Sequence, residues 1–284
     1  MAAPTKASKG RTDGAQVPAA GDSRPVTVPD FLAAKARGVR LTMLTAYEYT
    51  MARLLDAAGV DGLLVGDSLG MVVQGHENSL SVTLEEVIYH TRCVSRGVMR
   101  SLVVADMPFM TFQVSPQQAL ENAGRLLKEG GARAVKIEGG VRSAASVAAI
   151  ANADIPVMGH IGLTPQSVHR VGGFRVQRDA DKLLEDALAT EKAGAFAVVV
   201  ECVPADLAQK ITAALKIPTI GIGAGAGCDG QILVAQDMLG LFEDFRPRFV
   251  KQYADLGEEI VGAVEAYCRE VREGSFPASE HSFR

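Results

Sequence analysis

No tryptophan occurs in the 284 residues, and aromatic side chains make up only 5%. A core built from this chain must rest on aliphatic, alanine and glycine packing. Cysteine is sparse: Cys93, Cys202, Cys228 and Cys268 are far apart and form no C-x-x-C pair. Neither a disulfide framework nor a zinc knuckle is expected, and a reducing cytoplasm is the simplest compartment. An excess of positive charge is also missing. The formal charge is -4 and the pI is near 5.8, which argues against a surface built for nucleic-acid phosphates. No apolar run reaches the roughly 18 residues of a membrane span. Residues 1–25 contain no apolar stretch of the kind a secretory signal needs, and Asp13 and Asp22 weigh against a transit peptide. Their Ala, Gly, Pro, Lys and Ser content reads as a disordered tail.

What is present is ample core material. The chain is 48% hydrophobic and 22% charged. From Val26 onward, strand-like and helix-like stretches alternate. Strands are expected over 39–46, 62–66, 101–105, 134–138, 156–161, 195–201 and 219–222, with 231–238 the candidate for an eighth. Helices are expected over 49–58, 83–96, 115–129, 143–152, 179–193, 205–215 and 249–272, with a short start at Thr164-Pro165 inside a long loop. Thr83 with Glu86 reads as a capping box, and Ser115-Pro116 as an N-cap followed by proline at the first helical position. Strict alternation over about 250 residues implies a parallel sheet with helical crossovers. Eight units favour an α/β fold of the closed (β/α)8 TIM barrel type, a single domain over 26–284, with a doubly wound open sheet as the alternative.

Four apolar runs end in acids. Val65 leads to Gly66, Asp67 and Ser68; Val104-Ala105 to Asp106; Ile137 to Glu138; and Val200 to Glu201. A charge beside an apolar core is costly unless something partners it, so four of them point to a shared site. In a barrel the carboxyl ends of all strands open on one face. That would gather Asp67, Asp106, Glu138, His160 and Glu201. Lys136 and Glu138 are two apart on one strand and face the same side, with Ile137 turned to the helix layer. Asp67, Asp106 and Glu138 offer oxygen only, which favours Mg²⁺ or Mn²⁺ over zinc. Glu201 stands apart on strand six and suits a general base. Ser68 could anchor a substrate carboxylate. Plainer readings stand beside these: a helix cap for each strand-end Asp and for Ser68, a buried ion pair for Lys136–Glu138, a Lys or Arg partner for Glu201, and a structural role for His160. The glycines 221–225 could cradle a phosphate or simply pack tightly.

The runs 44–47, 65–70, 105–109, 136–140, 158–166, 201–204, 221–225 and 228–231 occur in the order found in one enzyme family. Together they make the chain resemble ketopantoate hydroxymethyltransferases from Val26 to the C-terminus. The resemblance implies a Mg²⁺-dependent transfer of a hydroxymethyl group from 5,10-methylenetetrahydrofolate to 3-methyl-2-oxobutanoate, giving 2-dehydropantoate on the route to pantothenate and coenzyme A. By motif it assigns the metal to Asp67, Asp106 and Glu138. The keto acid falls to Asp67, Ser68, Asp106 and Lys136, and proton removal to Glu201. It also implies a homodecamer. Glu48, Ser81, Phe112 and Ala226-Gly227 depart from the family's usual residues, and Phe112 lacks the hydroxyl of a common Tyr. The nearest alternative is a Mg²⁺-dependent lyase or mutase of the phosphoenolpyruvate mutase/isocitrate lyase type. A Schiff-base aldolase using Lys136 and a catalytically inactive barrel are further ones.

Overall fold

The computed structural model describes residues 24–173, 175–242 and 247–283. The tail reading lies outside the described residues as far as 23. Arg24 already belongs to the fold, with its guanidinium nitrogens 3.0 Å from the two carboxylate oxygens of Asp30.

Eight strands form the centre: β1 Leu41–Thr45, β2 Gly62–Val65, β3 Leu102–Asp106, β4 Ala134–Glu138, β5 Val157–Gly162, β6 Ala197–Glu201, β7 Thr219–Ile222 and β8 Gly230–Leu233. Each pairs in parallel with the next, and β8 pairs with β1, so the sheet is a closed barrel and the open-sheet alternative falls. The helices are α1 Val28–Arg37, α2 Tyr49–Ala57, α3 Leu69–Val72, α4 Leu84–Gly97, α5 Pro116–Lys128, α6 Ala144–Ala151, α7 Val168–Val171, α8 Ala180–Lys192, α9 Ala205–Ala214, α10 Ala235–Met238 and α11 Leu256–Glu273. Both expected caps form. The Thr83 amide donates to Glu86 at 2.7 Å, and Ser115 Oγ accepts from the Gln118 amide at 3.1 Å. Glu48, one of the departures from the family pattern, caps α2 by accepting from the Thr50 and Met51 amides.

Period-two alternation sorts the strand side chains into two cores. Val103, Ala105, Val135, Ile137, Val198 and Val200 face the helices. Leu64, Leu102, Val104, Ala134, Met158, Val199 and Ile220 fill the barrel. The same parity turns Asp106, Lys136, Glu138, His160 and Glu201 inward at the strands' carboxyl ends.

Besides the short α3, which the sequence reading also lacks, three elements differ from expectation. The first is α1, absent from the sequence reading, which plugs the amino end of the barrel. Its Phe31 is fully buried and meets Phe196 edge to face at 5.9 Å between centroids. Burying such a ring stabilises by about 2 kcal/mol. Thr27, whose amide and hydroxyl both donate to Asp30, starts this helix. The second is β8, which ends at Leu233. Residues Ala235–Met238, expected as strand, turn into α10, and the Ala235 amide donates to buried Thr45 Oγ1 at 3.0 Å. The third is α11, which begins at Leu256 and not at 249. Before it, Phe249 packs on Gly223, where a Cβ would come within 2.8 Å of the Phe249 ring. Among the described residues, no helix is long and apolar enough to cross a membrane.

Candidate active site

At the carboxyl end of the barrel a cavity of about 370 Å³ is lined by Asp67, Ser68, Asp106, Lys136, Glu138, His160 and Glu201. All seven sequence-predicted site residues therefore meet in one place. Asp106, Lys136, Glu138 and His160 are each no more than 3% exposed. Charges this deep survive only with partners.

The partners form one chain of contacts. The Asp67 amide donates to Asp106 Oδ2 at 3.2 Å. Lys136 Nζ lies 2.9 Å from Asp106 Oδ1 and 3.2 Å from His160 Nδ1. His160 Nδ1 is 3.5 Å from Glu138 Oε1, and its Nε2 is 3.0 Å from Glu201 Oε2. Gln166 ties the loop after β5 to this floor. Its side-chain amide donates to Asp67 Oδ2 and to the Met107 carbonyl, both at 3.0 Å, and its backbone amide donates to Glu138 Oε2 at 3.2 Å. Tyr47 and Ser68 share a hydrogen bond of 2.8 Å between their hydroxyls.

Several plain readings can now be judged. None of the three acids caps the helix that follows it. Ser68 precedes α3, but its hydroxyl makes no cap bond. Glu201 has His160 as its ionic partner in place of a Lys or Arg. The glycines of the β7 loop serve close packing: Gly223 has φ +62° and lies against Phe249, and Gly225 lies against Ala205. Phe112 is buried in the helix-side core, where a ring without a hydroxyl is well suited.

Electrostatics sharpen the roles. Burial, then the neighbouring Asp106 and Glu138, push Asp67 up to about 8 against the pull of Lys136 and Gln166. Burial likewise raises Asp106, although Lys136 opposes it. Burial also works against ionised Glu138, but His160 and Lys136 outweigh it and hold that carboxyl below its ordinary value. Burial alone would lower the Lys136 ammonium. Asp106, Glu138 and Asp67 more than reverse this, so it stays charged and makes a poor nucleophile. This counts against a Schiff-base role.

Two indications conflict at His160. Burial and Lys136 push it down, while Glu138 and Glu201 carry it up to about 9, which would make it an imidazolium. Yet Nδ1 faces the Lys136 ammonium, which has only donors. A protonated Nδ1 faces that ammonium unfavourably, but two carboxylates stand within reach of the ring nitrogens, Glu138 Oε1 at 3.5 Å and Glu201 Oε2 at 3.0 Å, and their combined charge favours the protonated ring.

The donor set suits a hard cation by type. Asp106 Oδ1 and Glu138 Oε1 are buried without an aligned hydrogen-bond donor, and both belong to oxygen-only side chains. Among the described residues, however, no three His, Cys, Asp or Glu side chains stand together as a finished ion cage. The carboxylates fit such an ion in chemistry and burial, and their side chains must turn to close around it.

Asp67 carries a pH prediction for chelator-treated protein. Its folded value, about 8, lies above its ordinary value of 3.8, so the folded state holds this proton more tightly than the unfolded chain. Its contribution to stability is fully present below about pH 4 and is lost as pH rises toward 8. Urea midpoints of the metal-free protein should therefore fall between pH 5 and pH 8, and Asp67→Asn should flatten that slope. An unchanged slope in that variant would refute the assignment.

Sequence reasoning missed three residues. Tyr47 and Gln166 lie inside the family-like runs, but their contacts come from other strands and loops. Asp237 follows β8 and also lines the cavity, and the strand expected over 231–238 concealed its place.

Comparisons with known proteins point to one enzyme family. A family model described as ketopantoate hydroxymethyltransferase matches residues 25–279. A 3-methyl-2-oxobutanoate hydroxymethyltransferase of Clostridium novyi (strain NT) is 61% identical over 262 residues, covering 91% of this chain and 95% of that protein. One of the same name from Moorella thermoacetica (strain ATCC 39073 / JCM 9320) is 58% identical over 263 residues, covering 91% and 98%. Among solved structures, a phosphonopyruvate hydrolase complex with oxalate and Mg²⁺ aligns at a TM-score of 0.59 and 15% identity, covering 88% of this chain and 91% of that one. A 2,3-dimethylmalate lyase of the PEP mutase/isocitrate lyase superfamily aligns at 0.57 and 16%, covering 90% and 91%. At such identities these two structures share the barrel and carry no argument about chemistry. The near-full-length match of an enzyme family, together with relatives this similar, leads to one assignment: the chain belongs to the ketopantoate hydroxymethyltransferase family.

Proposed function

We propose that this enzyme is a 3-methyl-2-oxobutanoate hydroxymethyltransferase. It takes the one-carbon unit from 5,10-methylenetetrahydrofolate and forms 2-dehydropantoate, a step toward pantothenate and coenzyme A. One observation carries the reading. Glu201 stands at the edge of the cavity, held by His160, and apart from the Asp67, Asp106 and Glu138 group across the floor.

Asp67, Asp106 and Glu138 would hold Mg²⁺, which when bound polarises the keto group as a Lewis acid. Ser68, with its hydroxyl oriented by Tyr47, receives the substrate carboxylate. Lys136 presents its ammonium to the keto oxygen and steadies the negative charge that develops there. Glu201 removes the C3 proton, and His160 fixes the orientation of that carboxylate. The C3–H electron pair becomes the new bond to the donor's methylene carbon. That carbon leaves both folate nitrogens, and water supplies the hydroxyl oxygen. One proton from C3 and one from water end on the two nitrogens.

The enzyme acts in the cytoplasm as a homo-oligomer, a decamer by family resemblance. In support of assembly, α11 buries none of its residues and exposes Ile260, Val264, Tyr267 and Val271 at helical spacing.

An omission experiment tests the reading against a lyase or mutase. Purified protein with Mg²⁺ and keto acid should form 2-dehydropantoate only when the folate donor is present. Turnover of the keto acid at full rate without folate would overturn it.

A further inference from the structure

The cavity is too large and too two-sided for a small keto acid alone. At about 370 Å³ it falls in the range of sites that bury drug-sized ligands. The charged groups assigned to the keto acid sit just after β2 and at the ends of β3 and β4. The wall made by β7, β8 and the following segments is apolar, with Ile222, Val234 and Phe249. One carboxylate interrupts this wall. Asp237 lines the cavity from α10, half-buried, and its carboxylate has no hydrogen bond or ion pair with any described residue. Burial pushes it up to about 6, with no neighbour to relieve it. The backbone behind it is fixed, because the first amide of α10 is bonded to Thr45 inside the barrel. A side chain placed rigidly in an apolar wall without a partner is poised to meet one on a ligand.

The geometry points to Asp237 as the group that recognises the pteridine ring of the one-carbon donor, a reading that rests on the function proposed above. The ring's N3–H and 2-amino N–H form a planar fork of two donors, and a carboxylate accepts such a fork with both oxygens, as it does a guanidinium. The flat heterocycle lies against Phe249 and Ile222. In this pose the donor covers β7, between Asp237 after β8 and Glu201 at the end of β6. Its reactive carbon is thereby brought to the side of the keto acid from which Glu201 draws the proton. Arg248, exposed at the rim of the cavity, meets the carboxylates of the donor's glutamyl tail.

The test is a binding titration on the full-length, Mg²⁺-loaded protein. The probes are tetrahydrofolate and its analogue lacking the 2-amino group. Loss of a charge-assisted fork is worth roughly 10- to 100-fold in affinity. The native protein should prefer tetrahydrofolate over the analogue by that factor. Asp237→Ala should weaken tetrahydrofolate by a similar factor and bind the two probes alike, with Asp237→Asn intermediate. Native protein that binds both probes equally overturns the assignment, and this arm needs no variant to fold. An alanine variant that binds tetrahydrofolate as tightly as native also overturns it. Native protein that neither binds tetrahydrofolate nor forms 2-dehydropantoate fails at the earlier step and removes the functional reading itself.

Discussion

Glu201→Gln is expected to abolish exchange of the C3 hydrogen of 3-methyl-2-oxobutanoate with deuterium oxide, by about 10²–10⁴-fold, the usual contribution of a positioned base. The expectation comes from the layout of the floor. Asp106 is committed to Lys136, Asp67 to Gln166, and Glu138 to Gln166 and His160. Glu201 stands apart from that group and touches His160 Nε2 at 3.0 Å. Gln is close in size and keeps a carbonyl oxygen for His160, so the cavity should keep its shape. Keto-acid binding, followed by calorimetry, should change little beside the exchange rate. Rapid exchange by this variant would remove Glu201 as the base. Exchange lost together with all keto-acid binding would show that the side chain shapes the site and does not carry the proton.

Removing divalent metal is expected to have an effect at least as large. Chelator should lower turnover by roughly 10³-fold or more, equivalent to about 4 kcal/mol of barrier, and Mg²⁺ should restore it. The physical basis is the surplus of buried negative charge. Three carboxylates face one ammonium on this floor, and two of their oxygens lack an aligned donor. Burial and mutual repulsion push Asp67 far above the ordinary carboxylate range. A divalent cation would relieve that repulsion, so metal should also stabilise the fold, and more strongly at pH 8 than at pH 5. Rates and urea midpoints measured in parallel check both halves. Full turnover in metal-free buffer would sink the metal role.

Much of this site is legible in the sequence because strand geometry is simple. A period of two sends Lys136 and Glu138 to one face, and barrel closure brings distant strand ends to one mouth. Asp106, His160 and Glu201 follow the same rule. What resists reading depends on contacts without local period. Gln166 reaches Asp67 across 99 positions from an irregular loop. Helix α1 is short, and its worth lies in plugging the barrel with Phe31 and Ala34, which only the closed barrel makes apparent. Asp237 was hidden because 231–238 has strand-like composition, whereas β8 stops at Leu233 and the Ala235 amide is captured by Thr45. The start of α11 is displaced because Phe249 is taken up by the glycine loop after β7. Identity of the substrates lies further off still, since carboxylates and an ammonium describe a keto-acid and metal site in general. The keto acid and the folate come from family resemblance.

The most direct measurement follows the transferred carbon. Purified protein, Mg²⁺, 3-methyl-2-oxobutanoate and 5,10-methylenetetrahydrofolate labelled with ¹³C at the methylene carbon are combined, and the product is read by NMR. The account predicts that the label appears in the hydroxymethyl carbon of 2-dehydropantoate and that Glu201→Gln prevents its appearance. Unlabelled product, or label transfer undiminished in that variant, would contradict it.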